Sequence, residues 1–368
     1  MSKKEGTYFN RNELYNILGI EENSNINILL PNEIFDNLVK CTEFKPKVSK
    51  IKGRKNTVVT YEKNANANHL AFAFSYVYLT SYLYRYARFS FHINYYDTKI
   101  IDEKMLYKIL NTSPSSRGKN GVSYITKRGG LLEKLGYIRK DNDYPVNFKY
   151  ERDKYTNEII DYTPYFVMYS DLKENEEIAS SIRREITNVN FPVKGFFSNE
   201  ESEKNECFDG YFYEPMYCTK INTKIFVYCM SKKELGTLGF YLYCFLKSKT
   251  DYFGTSYIRS VDDLTSDTGI GKTKLVEMLK KLEEYNMITN SHNHFVPNLP
   301  QGKKLPANSY STNEYQNFLK YGKQTAGKRR VMSYETYDKE IGEYLSTEIN
   351  SDVGETQDEV KVDLPKNM

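Results

Sequence analysis

No tryptophan occurs among the 368 residues, and histidine appears only four times. With so few imidazoles, two of them inside aromatic segments, a Ser/His/Asp hydrolytic arrangement has little to be built from. Cysteine is scarce too: Cys41, Cys207, Cys218, Cys229 and Cys244 are odd in number and form no C-x-x-C pair. That argues against a disulfide framework and a structural zinc site, and it fits a reducing, cytoplasmic setting. Long apolar runs are also missing. The most apolar stretch, "HLAFAFSYVYLTSYLYRYARF" from His69, is interrupted by Ser75, Ser81, Arg85 and five tyrosines. It reads as a buried, aromatic-faced helix and not as a membrane span. The polar opening "MSKKEGTYFN" lacks the apolar segment of a signal peptide. No membrane partner, cofactor or bound metal is expected.

Tyrosine is abundant, at 34 residues, in a chain that is 39% hydrophobic and 27% charged, the balance of a soluble globular protein. A bias toward Tyr, Asn, Lys and Ile accounts for this, and no tyrosine is assigned to base stacking. Charge is segregated along the chain. From Glu335 to Met368 ten acidic residues face three lysines, so the overall +4 hides a tail at −7 and a body at +11. A basic body with an acidic tail suits a chain that binds polyanions.

Five segments follow from composition and periodicity. Residues 1–60 hold a small helical element, "RNELYNILGI" and "PNEIFDNLVKC" with Pro31 early in its helix, and then a basic linker. In that linker Lys45, Lys47, Lys50, Lys52, Arg54 and Lys55 make either a solvated strand edge or an arm along a phosphate backbone. Residues 61–170 start with the aromatic helix. "IDEKMLYKILNTS" gives a further helix, and "VSYITKRGGLLEKLGYIRK" gives one more that enters a strand. Residues 171–220 read as a polar connector. In 221–325, "NTKIFVYCMS" reads as a strand and "KKELGTLGFYLYCFLKSK" as a second apolar helix. Residues 326–368 contain the basic cluster Lys328, Arg329 and Arg330 and the acidic tail, whose lack of apolar periodicity predicts mobility.

An internal repeat links two of these segments. "LLEKLGYI" at Leu131–Ile138 aligns with "KLEEYNMI" at Lys281–Ile288, each preceded by a comparable series of helices. A period of about 150 residues means two copies of one domain and not a solenoid.

"SVDDLTSDTGIGKTKLVEMLKKLEEYNMIT", from Ser260, admits two readings. A phosphate-binding loop needs G-x-x-x-x-G-K-[ST] after a buried strand. Gly271, Lys272 and Thr273 supply its second half, but Ser266 occupies the first-glycine position and "SVDDLTSD" is no buried strand. A helix-turn-helix accounts for more positions. Asp262 and Asp263 follow a capping Ser260, Leu264 faces inward, Gly269 supplies the positive φ of the corner, and Ile270 plugs it. Leu275, Met278, Leu279 and Leu282 then give the second helix one apolar face. Lys272, Thr273, Lys274, Glu277, Lys280 and Lys281 lie opposite.

These residues, from about Ser231 to Tyr315, resemble a winged helix-turn-helix. "ELGTLGFYLYCFLKSK" resembles its first helix and "MITNSHNHFVPNLPQGKKLPANSYSTNE" its two-stranded wing. Thr265 departs from the alanine more usual in such motifs. His69 to Ser170 resembles the same domain less closely, because "GKNG" replaces the tight corner. The fold implied is α+β and mainly helical: two winged helix-turn-helix domains in tandem, the first degenerate, with a small N-terminal helical element and a mobile acidic tail. Tandem winged helices with basic linkers resemble replication initiators of plasmids and phages.

The resemblance implies sequence-specific binding of double-stranded DNA, with no catalytic residue. The second helix of the motif would enter the major groove, with Lys272, Thr273 and Lys274 nearest the bases. Glu277 would accept a hydrogen bond from cytosine, unless it and Lys274 are simply a solvated face. Lys280 and Lys281 would meet phosphate, and Lys303 and Lys304 on the wing the backbone or the next minor groove. Arg117, Lys119, Ser123, Tyr124, Lys127 and Arg128 occupy the analogous turn and helix of the first repeat. "SHNHF" places His292 and His294 two apart, a spacing open to a metal, but with no carboxylate cluster nearby they read as exposed wing histidines. Replication initiation is the leading role, with replication-machinery proteins and a second copy of the chain as further partners. A transcription regulator is the alternative, and a nicking or nucleotide-hydrolysing enzyme the third reading.

Overall fold

The computed structural model describes residues 8–21, 23–44, 48–52, 58–62, 67–94, 97–112, 121–147, 151–152, 159–161, 166–172, 188–195, 217–254, 256–301 and 305–342. Arg117, Lys119, Lys303, Lys304, four of the six linker cations (Lys45, Lys47, Arg54, Lys55) and the tail beyond Gly342 lie outside them.

Helix α1 (Arg11–Leu18) starts on a reciprocal cap, in which Asn10 and Glu13 each accept the other's backbone amide. Strand β1 (Asn27–Pro31) and helix α2 (Glu33–Lys40) follow, so Pro31 closes a strand instead of opening the helix. A hairpin, β2 (Val48–Lys52) and β3 (Val58–Glu62), leads to the long helix α3 (Ala67–Arg85). Next come hairpin β4 (Ser90–Asn94) and β5 (Asp97–Ile100), helix α4 (Glu103–Ile109), and two single turns, α5 (Ser123–Thr126) and α6 (Leu131–Lys134).

Strand β6 (Arg139–Asp141) precedes β7 (Pro145–Asn147), β8 (Glu151–Arg152), β9 (Ile159–Asp161) and β10 (Phe166–Met168). Here β7 pairs with β10 and β8 with β9. A short helix α7 (Tyr169–Leu172) and strand β11 (Val189–Phe191) follow. Strand β12 (Cys218–Asn222) leads into helices α8 (Thr223–Met230) and α9 (Gly236–Phe253). The last region runs β13 (Tyr257–Arg259), α10 (Val261–Thr268), α11 (Lys272–Glu284), β14 (Ile288–Ser291) and β15 (Asn308–Thr312), then a turn of helix, α12 (Tyr334–Tyr337). The fold is α+β with small antiparallel sheets. No helix among the described residues is long and apolar enough to cross a membrane.

Three local expectations need correcting. "NTKIFVYCM" is helix α8, not a strand. Asn222 accepts from the Lys224 amide to cap it, and Ile225–Met230 are buried on every side, so a six-residue apolar run carries no period to separate strand from helix. The helix expected over "VSYITKRGGLLEKL" is broken into α5 and α6. Gly129 sits at φ +67°, and a Cβ on Gly130 would stand 2.5 Å from the Lys127 carbonyl oxygen, so the backbone closes up there. The span read as a connector supplies two paired strands, β11 against β6 and β12 against β1.

The core is one connected aromatic cluster in which α3 and α9 lie against each other. Phe74 meets Phe240 and Tyr241 at ring-centroid distances of 5.8 and 5.4 Å, and Tyr78 meets Phe240 at 5.0 Å. α3 is apolar around its whole girth, the pattern of a helix buried on all sides. Its Ser75, Thr80 and Ser81 hydroxyls return to carbonyls one turn back. Much of the tyrosine content is interior. Tyr78, Tyr82, Tyr241 and Tyr243 are buried, and each donates its hydroxyl to a main-chain carbonyl. A ring brings large apolar area, and its one polar atom finds a partner.

The two aligned segments share a backbone feature. Gly136 and Asn286 both hold positive φ, at +72° and +55°. The Tyr137 and Met287 amides donate back to Leu132 and Leu282, and their carbonyls accept from Val193 and Asn313 after the returning strands β11 and β15.

Candidate functional site

Ser260 starts α10 by accepting the Asp263 amide at 3.1 Å, and Leu264 is fully buried beneath it. The helix ends at Gly269 with φ +66° and ψ +12°, a conformation that costs a β-carbon-bearing residue dearly. Ile270 is fully buried, with its amide on the Thr268 hydroxyl. Tyr241 of α9 donates to the Thr268 carbonyl at 3.0 Å, fastening the corner to the core. Gly271 then turns the chain into α11, whose Leu275, Met278, Leu279 and Leu282 are buried as the spacing predicts. Gly271–Thr273 thus follows a helix and a two-residue corner, not the end of a strand. Strand β13 precedes α10, and the three strands assemble in the order β13-β15-β14, with β15 central and both pairings antiparallel.

On the far side of α11, Lys272, Thr273, Lys274, Glu277 and Lys280 are exposed, and Lys281 is half-buried. Their charge is partly engaged within the chain. Lys272 pairs with Asp262 at 2.7 Å, Lys281 with Glu277 at 2.6 Å and Lys280 with Glu284 at 3.7 Å. The Lys281 hydrogen bond holds the Glu277 carboxyl below its usual range. Glu277 therefore meets a cation in this state, where the sequence suggested a base contact. Lys274 reaches back to the Asn68 side-chain oxygen at the start of α3, 3.3 Å away.

The first repeat presents a different surface. Ser123 and Tyr124 open α5, and Lys127 and Arg128 lie exposed in the turn after it, so these residues share no continuous helix. Tyr124 is turned inward: its hydroxyl meets His69 Nδ1 at 3.0 Å, and burial pushes it up to about 12. Arg128 donates to the Asn188 side chain at 3.0 Å.

Sequence reasoning missed a buried carboxylate at the foot of α11. Glu283 is only 5% exposed. It accepts from the Asn290 side chain at 2.8 Å and the Gly327 amide at 3.1 Å, and His292 Nε2 lies 2.9 Å away. His292 is thus held against a buried acid instead of standing free on the wing. The available signal was Glu283 itself, an acid on the apolar side of a helix. Among the described residues, no group of three or more His, Cys, Asp or Glu is placed to hold a metal. Compared with known proteins, the chain matches no family model, no curated protein sequence and no solved structure.

Proposed function

We propose that Tyr257 to Thr312, with the α9 helix beneath it, is a winged helix-turn-helix that reads double-stranded DNA, with α11 in the major groove. The observation that carries this reading is the corner. Gly269 and Ile270 join two packed helices, and the lysine-bearing side of the second faces solvent. The strand order β13-β15-β14 is what a wing built after such a helix pair requires. An α-helix fits the major groove, and Lys272 and Thr273 at its start are exposed, as groove contacts must be.

Two copies of one unit in a single chain suit DNA that carries repeated elements, because the second contact forms at high effective concentration. We therefore propose that the chain initiates replication of a plasmid or phage by binding origin repeats. The first unit contributes through Lys127 and Arg128 at a broken helix, so it supplies phosphate contacts more than base contacts. Selection from random duplexes tests the reading. A recovered site, single or spaced as a pair, supports it. So does a loss of specific binding in Lys272→Ala that exceeds the loss on random duplex. Equal losses on both would remove Lys272 from the groove, and no enrichment of any site would overturn specific recognition.

A further inference from the structure

Residues 324–332 form a strap fastened to the end of α11 and to the residues that follow β14. It starts at the end of α11, where the Gln324 main-chain amide donates to the Glu284 carbonyl (2.9 Å) and its side-chain amide to the Glu283 main-chain carbonyl (2.7 Å). It is pinned again at Gly327, whose amide donates to Glu283. A Cβ on Gly327 would stand 2.6 Å from the His292 ring, so only glycine passes there. A third fastening lies beyond β14. Phe295 donates to the Arg330 carbonyl at 2.9 Å, and Met332 donates back to Phe295 at 3.1 Å, a one-residue parallel bridge with Met332 buried.

Lys328, Arg329 and Arg330 are exposed between these fastenings. Arg330 is paired with Glu340 at 3.1 Å, whereas no carboxylate among the described residues forms an ion pair with Arg329. Arg329 lines a cavity of about 530 Å³ between α11 and the residues that follow β14, with Lys272 and Lys280 on its helix wall. A protein with a helix in the major groove and a wing over the adjacent minor groove straddles one sugar–phosphate strand. On the duplex reading that strand would pass between helix and wing, across this cavity. A guanidinium fork matches two phosphate oxygens at once, and a tethered backbone reduces the entropy lost on contact.

We propose that Arg329 clamps the phosphate strand running between α11 and the wing, with the strap serving to hold it there. The proposal rests on the duplex reading. The test uses the full chain, its selected duplex and a random duplex, with affinity measured across a salt series. Arg329→Ala is expected to weaken both duplexes by the same factor and to reduce the slope of log affinity against log salt by about 0.9. Arg329→Lys should restore the slope, because it restores the charge. Gly327→Ala, which displaces the strap and with it the intact Arg329 side chain, should mimic Arg329→Ala. An unchanged slope in Arg329→Ala, alongside lost specificity in Lys272→Ala, would overturn the clamp and leave the duplex reading standing. A wild-type chain with no salt-dependent duplex binding would overturn both.

Discussion

Gly269, at the corner between α10 and α11, faces Leu70 of α3: a Cβ built on the glycine would stand 3.1 Å from Leu70 Cδ1. The corner therefore rests on the long helix α3, and Val39 of α2 lies 3.6 Å from the same point. Tyr241 holds it from the opposite side through the Thr268 carbonyl. The presentation of α11 thus depends on residues distant in sequence, and Lys274 touching Asn68 lies on the same seam.

Gly269→Ala tests that seam. A left-handed φ costs a non-glycine residue about 1–2 kcal/mol, and the added carbon must also move Leu70 or Val39. The variant should unfold at lower denaturant than wild type, with an unchanged slope m. A midpoint equal to wild type would mean that the corner has slack.

Asp262→Ala should strengthen DNA binding. The Asp262 carboxylate neutralises Lys272 at 2.7 Å on an exposed surface, a pair worth about 0–1 kcal/mol to folding. Its removal leaves stability nearly unchanged and frees the Lys272 ammonium, the proposed groove contact itself. Affinity for random duplex should rise, and the salt dependence should steepen. Weaker binding would show that Asp262 orients Lys272 and does not compete with DNA for it.

The parts of this fold legible in the sequence are those fixed by local chemistry. Ser260 caps α10, Leu264 and Ile270 are fully buried and Gly269 takes a positive φ, each as its local sequence predicts. The α8 helix was not legible, because an all-buried run has no polar face to reveal its period. Strand β11 was hidden for a different reason: its partner β6 lies far back in the chain, and pairing over that distance leaves no local trace. Arg329 could be seen as charge, but not as position, since the strap is placed by Glu283 and His292.

Acid should act on the β13–α10 junction. Burial pushes the Asp267 carboxyl up, but hydrogen bonds from Arg259 (2.8 and 3.2 Å) and Tyr257 (2.7 Å) outweigh it and hold the group below its usual range. A carboxyl depressed below its unfolded value of about 3.9 adds stability at all higher pH. That stability is lost as pH falls through the folded pKa. Wild type should therefore exceed Asp267→Asn by a constant margin from about pH 5 to 8, and the margin should shrink below about pH 4. A margin independent of pH down to the acid transition would mean that the ion pair contributes nothing.

Glu283 and Glu133 occupy matching places in the two aligned segments, and their substitutions should differ in cost. Glu133 accepts the amides of Gly129 and Lys140 near the surface, where water replaces it readily. Glu283 is buried, and its loss strands the Gly327 amide and the Asn290 side chain together. A buried donor left without a partner costs about 1–3 kcal/mol. The Asn290 side chain is half-buried and Gly327 is exposed, so the penalty falls mainly on Asn290 and on the space that the buried Glu283 side chain vacates. Glu283→Ala should thus cost several times what Glu133→Ala does in denaturant melts. It should also loosen the strap, so that amide exchange at Gly327 and Met332 rises while exchange within α3 does not. Uniform exchange across both would show that the strap unfolds only with the whole chain.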